Sequence, residues 1–262
     1  MTLFLPQFAR LDALFLTFCR VSGILVTAPV FQTQRLPLLL RAGMSALLAF
    51  LLAPSFGASS PPRDLLAYTL LAAGELLVGL GFGLVASLIF TSVSIAGEMA
   101  DLQSGFGFAA LVDPASEERT AILGQLQVML AWLVFFVCNG HHLLLQGMAQ
   151  SFSVLPLGTA ALPASVLGPA GPLALVARTF VVAVQVGAPV LGSVLITDLA
   201  LGLLARSVPQ LNLLVIRLPI KMALAFFALL LSLPFLVAAE RGLIPMMDGA
   251  VTQYLHFLAG GR

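Results

Sequence analysis

Residues 96–120 read AGEMADLQSGFGFAALVDPASEERT, inside a chain that is otherwise almost continuously apolar. Glu98, Asp101, Asp113, Glu117, Glu118 and Arg119 place six formal charges within these 25 residues. Gly105 and Gly107 weaken any helix that tries to run through them. Pro114 pushes Asp113 out of helical geometry. The stretch therefore divides. Residues 96–104 are expected to be helical, with Gly97, Asp101 and Gly105 on one face. Residues 105–116 are expected to form an irregular loop, with Phe106, Phe108 and Leu111 as its apolar contacts.

Working outward, the 262 residues are 60% hydrophobic and only 9% charged, with a mean hydropathy of +1.08. A soluble domain carries roughly 25% charged residues, so this chain cannot build a water-exposed surface. It belongs in or against a membrane, and its length allows about six to eight helical segments at ~20 residues each. A net charge of +1 leaves no basic footprint for nucleic acid. Cys19 and Cys138 sit in apolar runs and read as small buried hydrophobes. Asp12 and Arg20 interrupt the first apolar stretch, which reads as a membrane helix rather than a cleaved signal.

In order, the segments are 11–31, ended or kinked at Ala28-Pro29, then 38–52, then a Pro/Ser/Gly-rich loop at 54–64. Segment 65–90 carries Glu75, Gly79, Gly83 and Ser87 at four-residue spacing, a small-residue face that allows close helix approach. A single segment is expected from about 120 to 150, passing straight through Asn139-Gly140-His141-His142. A proline-rich region at 153–172 marks the best boundary between two parts. Two long helices follow, about 173–204 and 211–239, interrupted at Pro189 and Pro219. The polar turn joining them contains Arg206, Gln210 and Asn212. The tail, 240–262, reads as a short amphipathic interfacial helix.

Seven charged residues fall inside apolar segments: Arg20, Glu75, Glu98, Asp101, Asp198, Arg217 and Lys221. Each would cost roughly 2.5–3.5 kcal/mol at the bilayer centre, or on the order of 20 kcal/mol together, more than a fold's margin of stability. They must face protein, a water-filled path, or lie outside the hydrocarbon. The 105–116 backbone is under the same constraint. Arginines occur in nearly all the connections, so charge bias selects no orientation.

Enzyme chemistry finds little support. The run Gly105-Phe106-Gly107-Phe108 lacks the aspartate that an intramembrane aspartyl protease places after its glycine pair. His141 and His142 are adjacent, about 100° apart on a helix, and do not form an i,i+4 metal pair. There is no phosphate-binding loop, and no cofactor is expected. A secondary transporter using Glu75, Asp101 and Asp198 as ion ligands remains a second reading.

Several stretches, in order, resemble the FliR family of flagellar type III export proteins and its relatives in virulence secretion. They are Arg20-Val21-Ser22-Gly23 with Ala28-Pro29-Val30-Phe31, Ala96-Gly97-Glu98, Gly105-Phe106-Gly107-Phe108-Ala109 with Val112-Asp113-Pro114, Gly140-His141-His142, and Ser151-Phe152 with Leu155-Pro156-Leu157-Gly158. The match continues through Ala188-Pro189, residues 198–202 (DLALG) and Pro209-Gln210-Leu211-Asn212. The resemblance implies an all-α, non-enzymatic subunit built of membrane-associated hairpins within a cone-shaped hetero-oligomeric export gate. It implies a FliP-like part over 1–152, the proline-rich connection at 153–172, a FliQ-like hairpin over 173–239 and a tail over 240–262. Implied partners are FliP- and FliQ-type subunits, FlhB- and FlhA-type proteins, unfolded export substrates and inner-membrane lipid. The loop near 105–119 maps onto the family's channel plug, which assigns gating to Gly105, Phe106, Gly107, Phe108, Leu111, Asp113 and Pro114. Arg20, Glu75, Glu98, Asp101, Asp198, Arg206, Gln210, Asn212, Arg217 and Lys221 become polar packing or subunit contacts.

Overall fold

The computed structural model describes residues 5–31, 37–53, 64–106, 122–159, 172–207 and 213–260. All regular structure in them is helical: α1 (Leu5–Thr27), a 3-10 turn (Pro29–Phe31), α2 (Leu38–Leu52), α3 (Leu65–Ser104), α4 (Ile122–Val137), α5 (Gly140–Val154), α6 (Pro172–Ser207) and α7 (Leu213–Gly260). Among the described residues three helices are long and apolar enough to cross a membrane, Leu65–Ser104, Leu175–Arg206 and Ile216–Ala259, with α4 and α5 a fourth if that pair is one broken span. At 1.5 Å per residue the longest approaches about 65 Å, roughly twice the ~30 Å hydrocarbon core. Such helices must tilt steeply or extend beyond the hydrocarbon.

The expected single segment through 120–150 is two helices, α4 and α5, bent by 68°. Asn139 causes the break. It adopts the left-handed conformation, φ 57° and ψ 30°, which asparagine tolerates better than most residues. Its carbonyl then accepts the His142 N–H at 2.9 Å, restarting the helix. Apolar runs before Asn139 and after His142 hid this break, although Asn139-Gly140 is itself a turn signal. In the first turn of α5 the His141 and His142 rings lie with centroids 4.3 Å apart.

Two further expectations are corrected. Pro189 lies inside a continuous α6, and Pro219 lies inside a continuous α7. In apolar surroundings, neighbouring groups can re-satisfy the backbone that a proline frees. The tail is not a separate interfacial helix either. α7 runs from Leu213 unbroken through Glu240 to Gly260, with Leu243, Met247, Val251, Leu255 and Leu258 buried along one stripe. The 54–63, 107–121, 160–171 and 208–212 connections lie outside the described residues.

Packing divides the chain into two compact units that are discontinuous in sequence. One takes Met1–Leu88, Asn139–Val176 and Pro245–Arg262; the other takes Ile89–Cys138 and Ala177–Ile244. In the first unit α1 lies against the small-residue face of α3. A Cβ on Gly79 would collide with the Arg20 carbonyl oxygen, and one on Gly83 with Thr27. The second unit has an apolar core of Val93, Ala96 and Ala100 from α3, Leu123 and Ala131 from α4, Val186, Val190 and Val194 from α6, and Ala225, Leu229, Leu236 and Leu243 from α7. Phe90 of α3 stacks on Trp132 of α4 at 4.3 Å, extending that core with aromatic contacts.

The close approach of α1 and α3 predicts a sharp contrast between two glycines. Gly79→Ala forces a methyl into backbone and should cost about 1–3 kcal/mol. Gly192→Ala meets nothing within 4 Å and should be neutral or stabilising by up to ~1 kcal/mol. Thermal unfolding of the two variants in detergent would check the contrast; equal midpoints would contradict it.

Candidate functional site

Six of the seven charges within the apolar segments are gathered into three small constellations, two of them bordering connections. The first is a clamp in the unit containing α1 and α5. Arg20 donates from Nε to Glu75 Oε2 at 2.6 Å, and its Nη2 lies 2.6 Å from the same oxygen. Its Nη1 donates to the carbonyls of Ser151 (2.9 Å) and Leu155 (2.8 Å). Both carbonyls lie at the end of α5, where a cation is electrostatically favoured, and that of Ser151 also accepts the Leu155 N–H at 2.9 Å. Glu75 Oε1 accepts the Gly158 N–H at 3.0 Å, and the Phe152 ring lies 4.6 Å from the guanidinium carbon. Both charged side chains are fully buried. One ion pair thus binds α1 to α3 and fixes the turn 155–158, where Gly158 needs its positive φ of 84°.

The second constellation frames the glycine-rich loop. Asp101, near the end of α3, accepts the Leu123 N–H on Oδ1 at 3.0 Å and the Gly124 N–H on Oδ2 at 2.8 Å. It satisfies the free N–H groups in the first turn of α4, as an N-cap carboxylate would, although it comes from another helix. On the exit side the Asp101 carbonyl accepts the Gly105 N–H at 3.2 Å, and Gly105 turns the chain with φ 92°. One aspartate therefore pins both ends of the 107–121 connection. Gly97 lies directly on Gly124, which brings α3 and α4 close enough for this bridge. Phe106 packs against the apolar core of its unit. Gly107, Phe108, Leu111, Asp113 and Pro114 lie outside the described residues.

The third constellation joins α6 to α7. Asp198 Oδ1 accepts from Arg217 Nη2 at 2.8 Å and Nε at 3.3 Å, and Oδ2 accepts from Lys221 Nζ at 2.9 Å. Within this cluster the Arg217 side chain is about half exposed and that of Asp198 about a third, while that of Lys221 is only 13% exposed. Glu98 stands apart on the exposed face of α3, where Ser94 Oγ donates to it at 3.2 Å. Arg206 is exposed in the last turn of α6. Gln210 and Asn212 lie outside the described residues.

Two further buried polar side chains carry no clear signal in the local sequence. Gln127 is fully buried and Glu240 is 3% exposed, and neither side chain has a hydrogen-bond partner among the described residues. The one cue to Gln127 is its spacing, four residues from both Leu123 and Ala131 on the core stripe of α4. Glu240 was hidden because Glu240-Arg241 looks like the end of a helix that in fact continues.

Removing one partner of the Arg20–Glu75 pair strands the other charge, so Arg20→Ala or Glu75→Ala should destabilise by about 3–5 kcal/mol. The apolar double replacement Arg20→Met/Glu75→Leu should recover most of the loss. Membrane accumulation and thermal stability of the three variants beside the unaltered chain would check this. Losses that simply add would contradict the pairing. Glu240→Leu should instead stabilise the chain in the same assay, by about 1–3 kcal/mol, because it removes a buried polar group that has no partner among the described residues.

Comparison with known proteins covers nearly the whole chain. Residues 11–245 match bacterial export proteins, family 1. The flagellar biosynthetic protein FliR of Bacillus subtilis is 35% identical over 241 residues, covering 89% of this chain and 91% of the relative. FliR of Escherichia coli K12 is 31% identical over 229 residues, 86% of each chain. The Yop proteins translocation protein T of Yersinia pestis is 28% identical over 233 residues, 87% of this chain and 89% of the relative. The extent of these matches, across the helices that carry all three charge constellations, makes the chain a member of the FliR family and a component of a flagellar or type III export apparatus.

Proposed function

We propose that the chain is a non-enzymatic core subunit of the export gate in the bacterial inner membrane, at a flagellar basal body or a type III secretion base. With FliP- and FliQ-type subunits, and beside FlhB- and FlhA-type proteins, it forms the path by which unfolded substrates cross. In this reading residues 1–152 act as a FliP-like part and 173–239 as a FliQ-like hairpin. The 105–119 loop plugs the closed path, sealed by Phe106, Phe108 and Leu111.

The observation that carries the reading is the pinning of both loop ends by Asp101. A plug must move without letting its supporting helices separate, and a cap across the base of the loop supports that. The lengths of α3, α6 and α7 fit a gate that extends beyond the bilayer. The transporter reading loses its ligands: Glu75 and Asp198 are occupied by cationic side chains, and Asp101 by backbone N–H groups.

Deletion of residues 105–116 should leave the complex assembled and make the membrane leaky to ions and small solutes. Conductance across membranes containing the full complex checks this, and unchanged permeability would remove the plug assignment. Expressed alone, the chain should aggregate on detergent extraction and become monodisperse only with FliP- and FliQ-type subunits. A stable, monodisperse monomer would contradict the assembly.

A further inference from the structure

The free end of the α6–α7 pair has an unusual surface. From Asp198 to Arg206 on α6, and from Ile216 to Leu224 on α7, no residue is buried; burial begins only at Thr197 and Ala225. The exposed side chains there are large and apolar, among them Leu199 (64%), Leu204 (44%), Ile216 (42%) and Leu224 (42%). Within this bare apolar surface sit Asp198, Arg217 and Lys221, two cations to one carboxylate. Both Asp198 oxygens are already engaged, so one positive charge is left over. Arg217 uses two of its five N–H donors and Lys221 one of its three.

We propose that this hairpin end is a docking surface for a helix of another export-apparatus subunit, and that the helix brings a carboxylate to Arg217 and Lys221. The proposal rests on the assembly described above and specifies the chemistry of one partner. Lipid tails could cover the leucines but not the surplus charge, whose exposure to hydrocarbon is costly. A second copy of the same surface would set positive against positive. A lipid phosphate bound at the hairpin tip would lie too far out: Asp198 stands nine residues before Ser207 and Lys221 eight beyond Leu213, roughly 12–13 Å inside the helix ends. A carboxylate carried on a packed helix reaches that depth, and its hydrogen bonds would be strong in such a setting.

The chain makes the test specific, because Lys221 is its single lysine. Carbodiimide treatment of the complex, purified with its FliP- and FliQ-type subunits, should join Lys221 to an Asp or Glu of another subunit, identified by mass spectrometry of the linked peptides. Lys221→Arg keeps the charge, so the complex should assemble while the link is lost. Arg217→Glu/Lys221→Glu should lower recovery of the other subunits about tenfold or more. Asp198→Asn, which adds to the surplus charge, should not lower it. The proposal falls if only the internal Lys221–Asp198 link forms, or if the doubly reversed chain recovers its partners at the native level. It also falls if native mass spectrometry shows a charge-dependent anionic lipid there instead. If no other subunit co-purifies with the unaltered chain, the assembly reading itself has failed, and this surface with it.

Discussion

An ionised side chain in a chain this apolar costs several kcal/mol unless a partner neutralises it, and the architecture is arranged around that constraint. Arg20 and Glu75 meet it within the fold. They give up hydration completely, and in exchange the guanidinium and the carboxylate hold four attachment points: each other, two carbonyls at the end of α5, and the Gly158 N–H. Pairing alone seldom stabilises a fold on balance. What the clamp supplies is position. It places α1 on α3 at Gly79 and Gly83 and fixes the turn that leads toward the 160–171 connection.

Asp101 meets the same constraint differently, with backbone N–H groups in place of a cation. Its carboxylate lies at the positive end of α4, so the helix itself supplies the compensating field. The consequence is mechanical. The residues on either side of the 107–121 segment are tied to one residue, Gly105 through the Asp101 carbonyl and Leu123 and Gly124 through its carboxylate, so the base of the segment is held closed. Gly97 is needed for this, since a side chain there would push α4 away and pull its first turn off the carboxylate. Asp198 is the partial case, its pairing leaving a surplus charge on an exposed face. In the proposed gate, internal pairing holds the subunit together and incomplete pairing directs assembly.

Much of this was legible in the sequence. The helical class, the bounds of α2, the glycine face of α3 and the set of charges needing partners all follow from composition, spacing and transfer energies. The failures have physical causes. The bend at Asn139 is a single residue in the left-handed region, and flanking apolar runs conceal such a residue. Prolines 189 and 219 would interrupt helices in water, but in apolar surroundings neighbouring groups can re-satisfy the backbone they free. Glu240 was read as a terminus because a charged pair usually is one. The pairings themselves, Arg20 with Glu75 across 55 residues and Asp101 with the start of α4, depend on tertiary geometry that no local pattern encodes.

The central claim, that the loop pinned by Asp101 stands in the export path, is tested most directly by placing a photo-crosslinking residue at position 106 or 108 and stalling an export substrate in transit. The account predicts crosslinks from both positions to the stalled chain, and none from position 230 on the exposed face of α7. Substrate stalled in a working apparatus with no crosslink from 106 or 108 would contradict it.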